Sequence, residues 1–307
     1  MARSVPDRET GRLWSWSRAL LLLLSTVAIV VLTIAALGIN FGGQKAIEEH
    51  PMSEPPATAE ELNTALQTLF TRVVTRNGTH FDRLGTEWAA EAPSELRTVT
   101  AMIARSGPIS GGEGFDSREA QLAFRINAYN TLVMANVAEH WPITSVHDVH
   151  GVIDPSPGFG FFYGQFWMID GGVTNLYDFE SVIARSGDAR IHAVLNCASA
   201  SCPPLSPTIM RAETLEVQLA QAAERFASEA PFVEVDHEAR TIRLSQIYEW
   251  HHVDFEGHAR RVGTLPTVLA WIRFHARPRV RPDIERADVE HYTIEYVPYD
   301  WTLSRAR

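Results

Sequence analysis

At 307 residues, with 45% hydrophobic and 21% charged side chains, the chain has the balance of a packed globular protein and not of a disordered one. Its formal charge of −10 and single lysine, Lys45, exclude the concentrated basic surface that phosphate binding requires, so no nucleic acid is expected as a partner. Cys197 and Cys202 are the only cysteines, too few for a disulfide framework and without the Cys-x-x-Cys pairs of a zinc ribbon.

Residues 1–18 carry Arg3, Arg8, Arg12 and Arg18, with Trp14 and Trp16 close to the apolar run that follows. Ala19 to Ile39 holds no charge, and about 20 such residues cross a hydrocarbon core of ~30 Å as a helix. Arginines before the run and Glu48, Glu49 and Glu54 after it predict a cytoplasmic tail (1–18), a single-pass anchor (19–39) and an extracytoplasmic domain, periplasmic if the cell is bacterial. The lipid bilayer is then a partner through Ala19 to Ile39. A cleaved signal peptide competes with this reading because Ala35-Ala36-Leu37-Gly38 offers small residues, although typical signal h-regions run only ~7–15 residues. Residues 40–57 contain Gly42, Gly43, Pro51, Pro55 and Pro56 among acidic residues, a composition that suits a spacer. The folded domain is expected over 58–307.

Helical periodicity runs over Glu60 to Val74, Ser94 to Arg105, Arg118 to Ala138, Thr214 to Ser228 and Thr264 to His275, with Asp116 or Ser117 available to cap the third. Strands are expected at Phe166 to Ile169 and Val173 to Asn175 around an Asp170-Gly171-Gly172 turn. Further strands are expected at Ile191 to Cys197, Phe232 to Val235, Thr241 to Leu244 and Tyr292 to Val297. Gly151 to Gln165, rich in Gly, Pro and Phe, fits neither period. Without regular βαβ alternation the pattern predicts an α+β domain, helices mixed with a small, mainly antiparallel sheet.

Ala123-Phe124-Arg125-Ile126-Asn127-Ala128-Tyr129-Asn130-Thr131-Leu132 resembles the signature of the family catalogued as domain of unknown function 547. His140-Trp141-Pro142, Asp178-Phe179-Glu180, Arg190 to Ala198 with Ser201-Cys202-Pro203, and Leu244-Ser245 through Asp254-Phe255 resemble further segments of that family, in order, over roughly residues 115–256. Arg125 stands where the family usually has Trp, Ala189 where it often has Pro, and Ser181 where it often has His after Glu180. The resemblance implies no settled activity, and chemistry has to be read from the site.

Cys197 ends an apolar run before Ala198-Ser199-Ala200-Ser201, so its sulfur is a candidate nucleophile if a cation, an imidazole or a helix N-terminus lowers its pKa. Cys202 precedes Pro203-Pro204, a pair that can open a helix and lend its positive end. A disulfide between the two and inert packing are the competing readings. If Ile191 to Cys197 is one strand, His192 lies about 16 Å from Cys197 at ~3.3 Å per residue and on the opposite face. That separates a His192/Cys202 pairing from one of Cys197 with His140, whose place at a helix C-terminus favours a protonated imidazole. His147, His150, His251 and His252 are unranked. Asn127 and Asn130 share a helix face and can orient an imidazole or an oxyanion, or tie loops to the helix. Glu180, in a short helix, can orient a histidine or favour the helix N-terminus. Adjacent His251 and His252 make poor ligand geometry, and neither a metal nor another cofactor is expected.

Two functions fit these residues. One is a cysteine-dependent acyl-transfer enzyme, peptidase or amidase, with a histidine as base. The other is a noncatalytic module that binds an envelope peptide, glycan or protein.

Overall fold

The computed structural model describes residues 25–26, 40–75, 78–90, 94–151 and 154–306. The expected anchor, Ala19 to Ile39, lies outside them except for Ser25 and Thr26, as does the tail before it. Among the described residues no helix is long and apolar enough to cross a membrane.

Strand β1 (Asn40–Phe41) leads into helix α1 (Gln44–Glu49). The stretch expected to be a spacer is therefore not detached. Ala46 is fully buried, and Glu49 pairs at 2.6 Å with Arg97. Arg97 is itself fully buried and also donates to the carbonyls of Glu87 and Trp88, the kind of satisfaction a buried charge requires. Composition reads Gly and Pro as flexibility, whereas contacts from distant segments hold them here.

Helix α2 (Ala59–Val73) starts at a capping box in which the side chains of Thr58 and Glu61 satisfy each other's backbone N–H groups. It ends in a short antiparallel hairpin, β2 (Val74–Thr75) with β3 (Gly78–Thr79). Helices α3 (Phe81–Ala89) and α4 (Glu95–Arg105) follow, then the long α5 (Arg118–Glu139), capped by Ser117 rather than Asp116. Between Ala123 and Ala138 only Arg125 escapes burial. A helix wrapped on all faces is a central one, and α5 is packed by α3, α4 and later helices.

After α6 (Phe159–Phe162), strands β4 (Gln165–Ile169) and β5 (Gly172–Asn175) form the expected hairpin. Its two turn residues, Asp170 and Gly171, have φ of 52° and 74°, as a tight twisted hairpin demands. The Asp170 carboxylate also accepts from the backbone N–H groups of Ile109 and Ser110 at 2.9 and 2.7 Å. Helix α7 (Leu176–Ala184) and, beyond a 3-10 turn at Ala189–Ala193, helix α8 (Leu215–Phe226) complete the first half. A third hairpin pairs β6 (Val233–Asp236) with β7 (Thr241–Ser245), and β7 runs on into α9 (Gln246–Trp250) and α10 (His252–Arg261). Helices α11 (Val268–His275) and α12 (Arg281–Val289) precede β8 (Thr293–Val297), which lies parallel to β7.

The α+β expectation holds at that level, with small sheets. In place of one sheet there are, among the described residues, three separate ones, of orders β1-β4-β5, β2-β3 and β6-β7-β8. The pairs β1/β4 and β7/β8 are parallel, joined across distances in sequence that no local pattern records. Ile191 to Cys197 is no strand. It is a 3-10 turn and then an irregular run in which every residue from Ile191 to Asn196 is buried, so the period-two alternation that identifies a half-buried strand is missing.

Candidate active site

Two amides hold the loop that carries the thiols. From α5, Asn130 donates through Nδ2 to the carbonyl of Val194 and accepts at Oδ1 from the N–H of Asn196, both at 2.9 Å. Asn196 repeats the device, donating to the Pro203 carbonyl at 2.7 Å and accepting from the Ala198 N–H at 2.8 Å. Ala198 is left with a φ of 65°, a left-handed conformation that these bonds and two from the C-terminal segment impose. That segment pairs across the loop, the N–H of Ala200 donating to Thr302 and that of Ser304 to Ala198.

The loop brings the free thiols together. Cys197 Sγ lies 2.7 Å from Cys202 Sγ and 3.1 Å from Tyr299 Oη, while Cys202 Sγ accepts from the N–H of Cys197 at 2.9 Å. Cys202 is buried and Cys197 partly exposed. Burial works against ionisation of Cys197, but Cys202, Ser199 and Tyr299 outweigh it and hold the thiol down to about 7. Burial and the neighbouring sulfur push Cys202 far up, since two adjacent thiolates repel. Tyr299 is raised by burial and then by the sulfur charge, and stays a protonated donor. Pro203-Pro204 opens no helix, because the next helical residues are Ala212–Thr214. Cys202 therefore lacks the expected helix end.

Facing the thiols is a cluster drawn from three elements. His192 comes from the 3-10 turn, which Arg190 anchors by binding both Asp188 and Glu216. His192 Nε2 is 2.9 Å from Asp254 Oδ2 of α10. His251, between α9 and α10, stacks on His192 with ring centroids 3.9 Å apart and planes tilted by 28°. Glu180 of α7 accepts from Tyr129 Oη at 2.9 Å and approaches His251 Nε2 to 3.9 Å. Burial first, then the charge of His192, lowers His251 to about 3, so it is neutral at physiological pH. Burial raises Glu180 against the pull of His192 and Tyr129. Asp254 is lowered by its hydrogen bond from His192.

A cavity of ≈ 780 Å³ takes in both thiols, both imidazoles, Glu180 and Asp254. Tyr163 and Tyr177 stack at 4.3 Å as part of its wall, and Trp250, Tyr299 and Trp301 form another aromatic part. Among the described residues neither sulfur has an imidazole as hydrogen-bond partner.

Of the residues expected to carry chemistry, Cys197, Cys202, His192 and Glu180 line this cavity, and Asn130, Asn127 and His140 do not. Both amides are ties. Asn127 clamps Met210, donating to its carbonyl at 2.8 Å and accepting from its N–H at 2.9 Å. His140 turns Nδ1 onto the Asn136 carbonyl at 2.9 Å, and burial lowers its pKa, so the helix end does not leave it protonated. Glu180 serves Tyr129 and faces His251 rather than favouring its own helix end. Because Ile191 to Cys197 is not extended, the separation of His192 from Cys197 expected for a strand does not apply. Sequence reasoning missed Tyr129, Asp254 and Tyr299, and left His251 unranked. Tyr129 stands inside the Asn127-Ala128-Tyr129-Asn130 run and Asp254 three residues from His251, weak signals that gain meaning only through contact. Donor atoms of Glu180, His192 and His251 all lie within 4.8 Å of one another, although their spacing along the chain resembles no metal motif.

Residues 114–227 match the family model described as "Protein of unknown function, DUF547". Comparison with curated proteins and with solved structures gives no match. The matched stretch contains Tyr129, Glu180, His192 and both cysteines, and ends before His251, Asp254 and Tyr299.

Proposed function

Since residues 114–227 match the DUF547 family model, whose description names no activity, we propose from the site itself a cysteine-dependent acyl-transfer enzyme, peptidase or amidase. Cys197 is its nucleophile and His192, held by Asp254, its base. One observation carries this reading: a partly exposed thiol whose pKa is lowered shares a cavity with a carboxylate-bound imidazole. The thiol proton passes to the imidazole as sulfur bonds the amide carbon. The C–N bond then breaks as the imidazolium returns that proton to the leaving amine. Water cleaves the resulting thioester, releasing the acid and restoring the thiol. Tyr299, 3.1 Å from the sulfur, is placed to donate to the developing oxyanion. Anchored through Ala19 to Ile39, such an enzyme would act on an envelope peptide or amide.

The test is acylation by a p-nitrophenyl ester, followed by intact mass and turnover. The chain should gain one acyl group on Cys197, Cys197→Ser should gain none, and His192→Ala should acylate more slowly by about 10²–10⁴-fold with its melting curve intact. Full turnover by Cys197→Ser would sink the enzyme reading. The second reading, a noncatalytic module for an envelope peptide, glycan or protein, is favoured by the aromatic walls and by the lack of a direct imidazole–thiol hydrogen bond among the described residues. It predicts that Cys197→Ser and Cys202→Ser both restore a deletion phenotype.

A further inference from the structure

We propose that Glu180, His192 and His251 form a binding site for one first-row divalent cation of the zinc type. Their donor atoms lie within 4.8 Å of one another, and His251 Nε2 and Glu180 Oε1 are 3.9 Å apart. Two ligands on a tetrahedral ion with bonds of ~2.0–2.2 Å stand roughly 3.3 Å apart. Closing the set on one ion requires the side chains to draw in from this spacing and the two stacked imidazoles to turn so that both present a ring nitrogen to it. The donors come from three separate elements, the short helix α7, the 3-10 turn and the α9–α10 junction, and they meet in a cavity that leaves room for a water or ligand in a fourth position.

Groups behind the donors already have the arrangement that orients metal ligands. Asp254 Oδ2 is 2.9 Å from His192 Nε2, the hydrogen bond that orients a ligating imidazole, and lies 4.0 Å from His251 Nδ1. Tyr129 donates to Oε2 of Glu180 at 2.9 Å and leaves Oε1 toward His251. Two imidazoles with one carboxylate suit Zn²⁺ or its neighbours in the series, and the nitrogen donors disfavour Ca²⁺ and Mg²⁺. The thiols are a second set of soft donors in the same cavity, and the test has to separate the two. The site stands on this geometry and not on the acyl-transfer reading. If both hold, a bound cation occupies the imidazole that the thiol chemistry uses and inhibits it.

Chelator-treated, untagged full-length chain is titrated with Zn²⁺ in a calorimeter, with metal content measured after desalting. One Zn²⁺ per chain is expected, with unchanged affinity in the Cys197→Ser/Cys202→Ser double variant. A loss of about 100-fold or more is expected in Glu180→Gln and in His251→Ala, each shown by its melting curve to be folded. Should one of these fail to fold, the other decides. Co²⁺ loading supplies an independent readout: absorption without an intense thiolate charge-transfer band is expected. No binding, binding that survives both Glu180→Gln and His251→Ala, or binding lost in the double cysteine variant with a thiolate band for Co²⁺ would overturn the site. None of these readouts depends on turnover, so failure of the cation site is distinguishable from failure of the enzyme.

Discussion

Replacing Asn130 with alanine removes both hydrogen bonds that fasten the buried run ahead of Cys197 to α5. The carbonyl of Val194 and the N–H of Asn196 lose their partner at once, and both residues are buried. An unsatisfied buried backbone group costs about 1–3 kcal/mol, so the variant should lose about 2–6 kcal/mol. For a domain of this size that is a fall in Tm of about 2–4 °C per kcal/mol. Asn136→Ala is the internal control. It lies on the same helix and is fully buried, but gives up one bond, from Nδ2 to the Phe161 carbonyl at 2.9 Å, and its Oδ1 has no partner among the described residues. Its cost should be about half as large. Urea unfolding of both variants, followed by circular dichroism, gives the two values provided that the slope with denaturant is unchanged. The same Asn130→Ala change should also loosen the contacts that hold down the Cys197 thiol, raising its pKa from about 7 toward the ordinary range. If Asn130→Ala lies within about 0.5 kcal/mol of the native chain, against the ~2 kcal/mol minimum for two orphaned groups, or costs less than Asn136→Ala, the amide is no tie and the account of the loop fails.

Iodoacetamide should label Cys197 faster than it labels free cysteine at neutral pH, with a rate that rises through about pH 7 and then levels. Cys202→Ala and Tyr299→Phe should each move that profile to higher pH, and an unmoved profile would dismiss their role; an intact mass short by two hydrogens would instead reveal a disulfide. Glu139 is raised from 4.5 to about 7 mainly by burial. A carboxyl raised on folding contributes stability that is fully present below its unfolded pKa and lost as pH rises through the folded one. At ~1.4 kcal/mol per tenfold change in proton affinity, the native chain should lose on the order of 3 kcal/mol between pH 4.5 and 7. Glu139→Gln should flatten that part of a Tm-versus-pH curve, and an identical slope in the variant would refute the assignment. Gly85→Ala should destabilise by about 1–3 kcal/mol despite the better helix propensity of alanine, because the added methyl overlaps the Trp141 side chain; a raised Tm would contradict it. Finally, protease added from the extracytoplasmic side should remove the domain and spare residues 1–18, whereas protection of the domain would reverse the topology expected from the arginines.

Local chemistry was enough to read several parts of this molecule from its residues. The Ser117 cap, the periodicity of α2, α4 and α5, and the Asp170-Gly171 turn are written within a few residues of one another, where capping and turn preferences act. The family motif pointed to Glu180, His192 and both cysteines because they sit in short ordered segments. What needed the tertiary structure was everything set by distant contact. Residues 40–57 read as a spacer because Gly and Pro lack a local partner, but Arg97 and Trp167 supply one from elsewhere. Ile191 to Cys197 read as a strand because it is apolar, and burial on all sides erased the alternation that would have told the two apart. His140, at a helix end, turned its ring back onto the Asn136 carbonyl as a half-buried cap. His251, dismissed for its neighbour in the chain, became central because stacking on His192 and approach to Glu180 depend on how three elements meet, a distance in space that no spacing along the chain encodes.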